Sequence, residues 1–151
     1  MGASKNGLPS SWDVEADTVI VGYGFAGGVA SIEAVEAGQA ALILEKMPMP
    51  GGISITSGGG VRVTSNADAA FAYLQATCGG LTPNSVLQAF ARGMAEIPDY
   101  MSNLAAACDT EILRLARPGN YPFPGFEDMA FCAYGQIPDF DQFAYYPHAR
   151  G

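Results

Sequence analysis

An α/β fold is predicted, with a parallel βαβ unit near the N-terminus, then helices, then an irregular segment rich in proline and aromatic residues. Three observations predict the unit. Thr18-Val-Ile-Val21 is a short, continuously apolar, mostly β-branched run, the pattern of a parallel strand covered on both faces. Gly22-Tyr-Gly-Phe-Ala-Gly27 breaks that run, and beyond it Val29, Ile32 and Val35 recur at helical spacing, with Glu33 and Glu36 at solvent-facing positions. Ala40-Ala-Leu-Ile-Leu44 is a second apolar run, reached after Gly38, a residue that accepts a left-handed helix cap. Such a strand–helix–strand connection is almost always right-handed.

The glycines of the turn have separate tasks. Gly22 permits the tight bend, Gly24 lets the main chain approach a pyrophosphate, and Gly27 lets helix and strand pack closely. The helix beginning near Phe25 then offers free amides and the positive end of its dipole to the phosphates. Glu45 stands at the end of the second strand, about 20 positions after the turn, where a carboxylate accepts hydrogen bonds from the two ribose hydroxyls and repels a 2′-phosphate. A lone Gly-x-Gly-x-x-Gly is a weak signal. Here it follows a strand, opens a helix and is matched by an acid, which together define a Rossmann-like dinucleotide site.

Lys46-Met-Pro-Met-Pro50 leads out of the strand into Gly51-Gly-Ile-Ser-Ile-Thr-Ser-Gly-Gly-Gly60. Five glycines and three hydroxyl residues in this stretch suit close approach of backbone amides to a flat, polar-edged ligand. A nicotinamide enzyme has no evident need of a second such flap, whereas an enzyme covering the flavin end of FAD does. A nicotinamide-binding domain stays the alternative.

Val19–Gly27, Glu45-Lys46, Pro50-Gly-Gly-x-Ser and Ser57-Gly-Gly-Gly60 together resemble the flavoprotein superfamily of soluble fumarate reductases and 3-ketosteroid dehydrogenases, with the ketosteroid branch the nearer in look. The resemblance implies a glutathione-reductase-like FAD domain. It also implies FAD contacts at Gly22, Gly24, Phe25, Ala26, Gly27, Glu45, Lys46, Gly52, Ser54, Gly58, Gly59 and Gly60. Ile53 stands where many fumarate reductases carry Asn. The flap has no flavin-linking His of the membrane-bound members, so non-covalent FAD is expected. Hydride transfer between flavin N5 and a CH–CH or C=C unit of a small or ketosteroid-like substrate is the implied activity. Family members are several times longer, so an incomplete domain, or one chain of a split enzyme with a partner chain, is expected. A catalytically inactive flavin-binding module is the further alternative.

At 151 residues, 49% hydrophobic and 15% charged, the chain suits one domain burying roughly 70% of its unfolded surface. The net charge of −8 argues against nucleic acid and anionic membranes, and leaves phosphate binding to backbone amides. Cys78, Cys108 and Cys132, without a Cys-x-x-Cys pair, read as buried thiols in a reducing compartment rather than metal ligands. Residues 1–16 form a polar leader without the apolar core of a signal peptide. No run of about 18 apolar residues occurs, so no membrane span and a cytoplasmic location are expected.

Residues 17–116 are read as the FAD-binding part with its helical segment. Val61-Arg-Val63 is a short extended segment. Arg62 reads as a surface or core-edge residue, with a phosphate or flavin carbonyl contact as the alternative. Asn66 is an N-cap for a helix through Ala76 carrying Phe71 and Leu74, ended by Cys78-Gly-Gly80. Thr82-Pro83 reads as cap and first turn of a long helix with Val86, Leu87, Phe90 and Met94 on its apolar face, kinked or restarted at Pro98. Residues 117–151 are read as loop-rich, leading toward a substrate region, and their aromatic residues need something to pack against. One histidine excludes a Ser-His-Asp triad and a histidine metal cluster. His148 with Tyr145, Tyr146 and Arg150 reads as an aromatic packing segment with a surface histidine, and no catalytic residue is assigned.

Overall fold

The computed structural model describes Pro9 and residues 11–141. The described residues divide into two compact units, one within Met1–Thr56 and one within Ser57–Arg150. The polar leader to residue 8 and the His148, Tyr145, Tyr146 and Arg150 group lie outside the described residues.

In the first unit, β1 (Thr18–Val21) and β2 (Ala41–Leu44) pair in parallel, with Thr18 opposite Ala41 and Val21 opposite Leu44. Helix α1 (Phe25–Glu36) connects them and buries Gly27 and Ala34. The start of the sheet is tied by the amides of Asp17 and Thr18, which donate to Ala40 O at 3.0 and 3.1 Å, and by Ala40 N, which donates to Asp17 Oδ2 at 2.8 Å. After β2 the chain forms a short 3-10 helix at Gly52–Thr56, an element the glycine content of this stretch had hidden. Full cover of β1 was expected, but Val19 is 54% and Val21 85% exposed, because α1 covers only one face of the two strands.

In the second unit, β3 (Val61–Thr64) precedes α2 (Ala67–Cys78) and α3 (Asn84–Ala107), followed by β4 (Ile112–Leu115) and β5 (Met129–Tyr134). The strands form an antiparallel sheet in the order β3-β5-β4. One part of its core gathers Ala70, Tyr73, Ala91, Met94 and Met129; another gathers Val63, Met101, Ala130 and Cys132. The side chain of Asn66 caps α2, accepting from Asp68 N and Ala69 N at 3.1 Å each, and Gly79 closes it in the left-handed region.

The structure departs from the sequence pattern at four places. Pro83, not Thr82, is the N-cap of α3, and no side chain caps that end. Helix α3 does not restart at Pro98 but continues through it, since buried Met94 and Met101 anchor the turns on either side against the loss of one backbone bond. Only Cys132 is buried: Cys78 is half-buried, and Cys108, which caps α3 beyond its last buried residue Ala105, is exposed. The stretch from Arg117, read as loop-rich, is irregular up to Gly125, but β5 follows and lies at the centre of the sheet. Its aromatics find their support in α2: Phe123 lies 6.4 Å from Tyr73 between ring centres, and Tyr121 N donates to Tyr73 Oη at 3.2 Å.

Candidate functional site

The turn between β1 and α1 is braced on every side. Gly22, at φ +98°, takes a conformation that a side chain disfavours, and its amide donates to Leu44 O at 2.8 Å. Tyr23 donates its N–H to Glu45 Oε2 at 2.8 Å and accepts from Gly51 N at 2.6 Å. Gly24 is the N-cap of α1 and brings no capping side chain. Ser54, from the 3-10 helix, supplies one instead, accepting from Phe25 N at 3.0 Å. A Cβ on Gly27 would overlap the carbonyl oxygen of Gly22, so only glycine allows this approach of helix and turn.

Glu45 completes the cluster. Its Oε1 accepts from Met47 N at 2.8 Å. The amides of Met47 and Tyr23, with the charge of neighbouring Lys46, hold the carboxyl below the usual carboxylate range despite some desolvation. It is therefore charged at neutral pH.

The order of these bonds leaves a defined set of donors. Among the described residues the amides of Gly24, Ala26 and Gly27 have no acceptor, whereas Gly28 N already donates to Gly24 O at 2.9 Å. Three main-chain donors without an acceptor at the start of a 12-residue helix, that of Gly27 in a buried residue, with a charged carboxylate at the tip of the next strand, fit a pyrophosphate and a ribose diol.

The structure thus brings Gly22, Gly24, Phe25, Ala26, Gly27, Glu45 and Ser54 into one cluster. Lys46 and Gly52 adjoin it in sequence and are exposed, Gly52 opening the 3-10 helix. Gly58, Gly59 and Gly60 belong to the second unit, where Gly59 N donates to Ser57 Oγ at 3.3 Å and Gly60 lies against the Phe131 ring. Arg62 is also in that unit and is committed to its loop. Its guanidinium donates to Arg117 O at 2.7 Å and sits 4.0 Å above the centre of the Phe131 ring, which establishes the core-edge role. Sequence reading passed over Tyr23 and Met47, because both contribute through the main chain. Among the described residues no group of His, Cys, Asp and Glu could hold a metal ion, and no helix is long and apolar enough to cross a membrane.

A parallel βαβ unit with acceptor-less amides at a glycine turn and an acid at the second strand's tip is a dinucleotide-binding domain. Residues 17–125 match the family described as "FAD binding domain". The chain belongs to this family and its cofactor is FAD, which decides against the nicotinamide alternative. It is 41% identical over 58 residues to a urocanate reductase of Eggerthella lenta, covering 38% of this chain and 10% of the relative. It is 38% identical over 80 residues to a 3-oxosteroid 1-dehydrogenase of Mycolicibacterium smegmatis, covering 46% of this chain and 14% of the relative.

Among solved structures, the 3-ketosteroid delta1-dehydrogenase of Sterolibacterium denitrificans superposes with a TM-score of 0.66 at 26% identity, over 77% of this chain and 22% of that one. The 3-ketosteroid-delta4-(5alpha)-dehydrogenase of Rhodococcus jostii RHA1 gives 0.57 at 27% identity, over 75% and 26%. These relatives confirm the resemblance to the fumarate reductase and ketosteroid dehydrogenase superfamily. The chain spans 10–14% of the length of these two curated relatives.

Proposed function

We propose that this chain is the FAD-anchoring part of an oxidoreductase acting on a CH–CH or C=C unit of a ketosteroid-like or small unsaturated substrate. The observation that carries the reading is the trio of acceptor-less amides at Gly24, Ala26 and Gly27 in and beside a turn whose Tyr23 N–H is held by Glu45. Those amides receive the pyrophosphate, and the free lone pairs of Glu45 meet the ribose hydroxyls. Phe25 supports the cradle through Ser54. Lys46 and Gly52 extend it toward the flavin, Gly58, Gly59 and Gly60 are flavin contacts on the family resemblance alone, and attachment is non-covalent. FAD, when bound, supplies hydride acceptance or donation at N5, and the chain's own work is to hold and orient it. The substrate class rests on the urocanate reductase and ketosteroid dehydrogenase relatives. Residues from Arg117 onward lead toward the substrate region in this reading.

A split arrangement, in which a second polypeptide brings the catalytic residues, is favoured by the exposure of Val19 and Val21 on β1. The test is to load the chain with FAD, reduce it, and follow reoxidation by urocanate, and separately to follow bleaching of the oxidised form by 4-androstene-3,17-dione. Reaction with either supports the reading. Reaction with neither, in the presence of bound flavin, leaves the anchoring role and puts the catalytic residues elsewhere in the enzyme, whereas a chain that takes up no FAD refutes the reading.

A further inference from the structure

Glu45 faces two different parts of the chain with its two oxygens. Oε2 holds Tyr23 N–H, in the middle of the glycine turn, and Oε1 holds Met47 N–H on the segment leaving β2, both at 2.8 Å. Gly51 N then takes the carbonyl of Tyr23 at 2.6 Å. The turn's central residue is thereby held through both of its backbone groups by the 45–51 segment. Tyr23 is flanked by Gly22 and Gly24, and glycine has the greatest backbone freedom to lose on ordering. A turn of this composition has little stiffness of its own, so its shape comes from these outside bonds.

We propose that Glu45 is a positioning residue as well as a ribose acceptor: it clamps the glycine turn to the exit of β2 and so sets the Gly24, Ala26 and Gly27 amides before a ligand arrives. The proposal rests on the reading of this cluster as an FAD site. Each carboxylate oxygen has two lone-pair sites, so one on each stays open to a hydroxyl while the clamp is closed. Ligand affinity then depends on Glu45 even where no ribose hydroxyl is present, because an unformed cradle has to be ordered on binding.

The test uses Glu45→Gln, which keeps the size but offers one acceptor oxygen and turns an NH2 toward the other amide. Amide exchange in the ligand-free chain is measured first. Exchange of Tyr23 or Met47 is expected to rise about tenfold or more, the scale of a lost charge-assisted bond. Thr18, whose amide donates to Ala40 O at the far end of the sheet, is expected to keep its protection. Equal loss at Thr18 overturns the proposal, since the carboxylate would then be holding the sheet and not the turn.

Binding is measured next, with FAD and with a flavin dinucleotide built from 2′,3′-dideoxyadenosine. The expected result is that the substitution weakens both by a comparable factor. A variant that binds the dideoxy compound as the wild type does overturns the clamp and leaves Glu45 a ribose ligand only. A wild type that shows the exchange pattern but binds neither compound refutes the FAD reading while leaving the clamp standing.

Discussion

Replacing Gly27 with alanine adds a single methyl group at the point where helix α1 meets the glycine turn. That methyl would overlap the carbonyl oxygen of Gly22 and come within 3.4 Å of Ile20 Cγ2. The neighbour it meets first is main chain, which cannot rotate away, so either α1 slides along the sheet or the turn opens. Forced overpacking of this kind costs about 1–3 kcal/mol. Because the displaced groups are those presenting the Gly24 and Ala26 amides, the same strain reaches the ligand, and at 1.4 kcal/mol per tenfold it weakens FAD binding by about 5- to about 140-fold.

Gly24→Ala is the control on the same turn. Its methyl would meet Ser54 Oγ at 3.1 Å and Gly51 O at 3.6 Å, a neighbour that shifts by a few tenths of an ångström. The expected loss is smaller. Titration of the purified variants with FAD, read by quenching of flavin fluorescence, and thermal unfolding without ligand give the two quantities. Gly27→Ala binding FAD like the wild type at an unchanged midpoint, or a greater loss from Gly24→Ala, would refute the close-approach argument.

Other expectations follow from single contacts. Ser54→Ala removes the side-chain acceptor of Phe25 N and is expected to destabilise by about 1 kcal/mol as a lost cap, measured by thermal unfolding, with Ser54→Thr restoring most of it. Asn66→Ala leaves the amides of Asp68 and Ala69 uncapped and costs about 0.5–2 kcal/mol in denaturant unfolding. Met94→Ala empties a site that is 2% exposed and costs about 2–5 kcal/mol by the same measurement. The pH dependence comes from Glu45, whose folded-state pKa is lowered by the Met47 and Tyr23 amides. Its contribution is fully present above the unfolded-state carboxylate pKa and is lost as pH falls through the lower folded value. FAD retention and protection of the Tyr23 amide should therefore hold through neutral and mildly acid pH and fail together in acid, a fall that Glu45→Gln removes.

How far the sequence could be read depended on the distance over which each feature is decided. β1, α1 and β2 were legible because apolar run, glycine turn and helical spacing are local, and the turn chemistry left one arrangement open. Asn66 and Gly79 were legible for the same reason, each marking an end of α2. Strand β5 was not. Met129-Ala-Phe-Cys-Ala-Tyr134 carries no polar alternation: Met129, Ala130 and Cys132 are buried, the Arg62 guanidinium covers the Phe131 ring, and the strand is paired with β3 and β4 on its two edges. Only that pairing, with partners well separated in sequence, makes it a strand.

At Pro98 a kink or a restart was expected; the restart does not occur, because the packing of Met94 and Met101 carries the helix across it. In the site, glycines and the acid stood out by residue type, whereas Tyr23 and Met47 act through amides that any residue possesses. Ser54 could be placed in the cluster by resemblance, but its bond to Phe25, across 29 positions, exists only once the 3-10 helix has formed.

On the proposed reading, main-chain amides of the first unit grip FAD at the mouth of α1. The most direct measurement is the amide NMR spectrum of the isotopically labelled chain as FAD is added. The account predicts that Gly24, Ala26 and Gly27 show the largest downfield movements, with Tyr23 and Met47 unmoved in their protected positions. FAD binding that leaves those three amides where they were would contradict it.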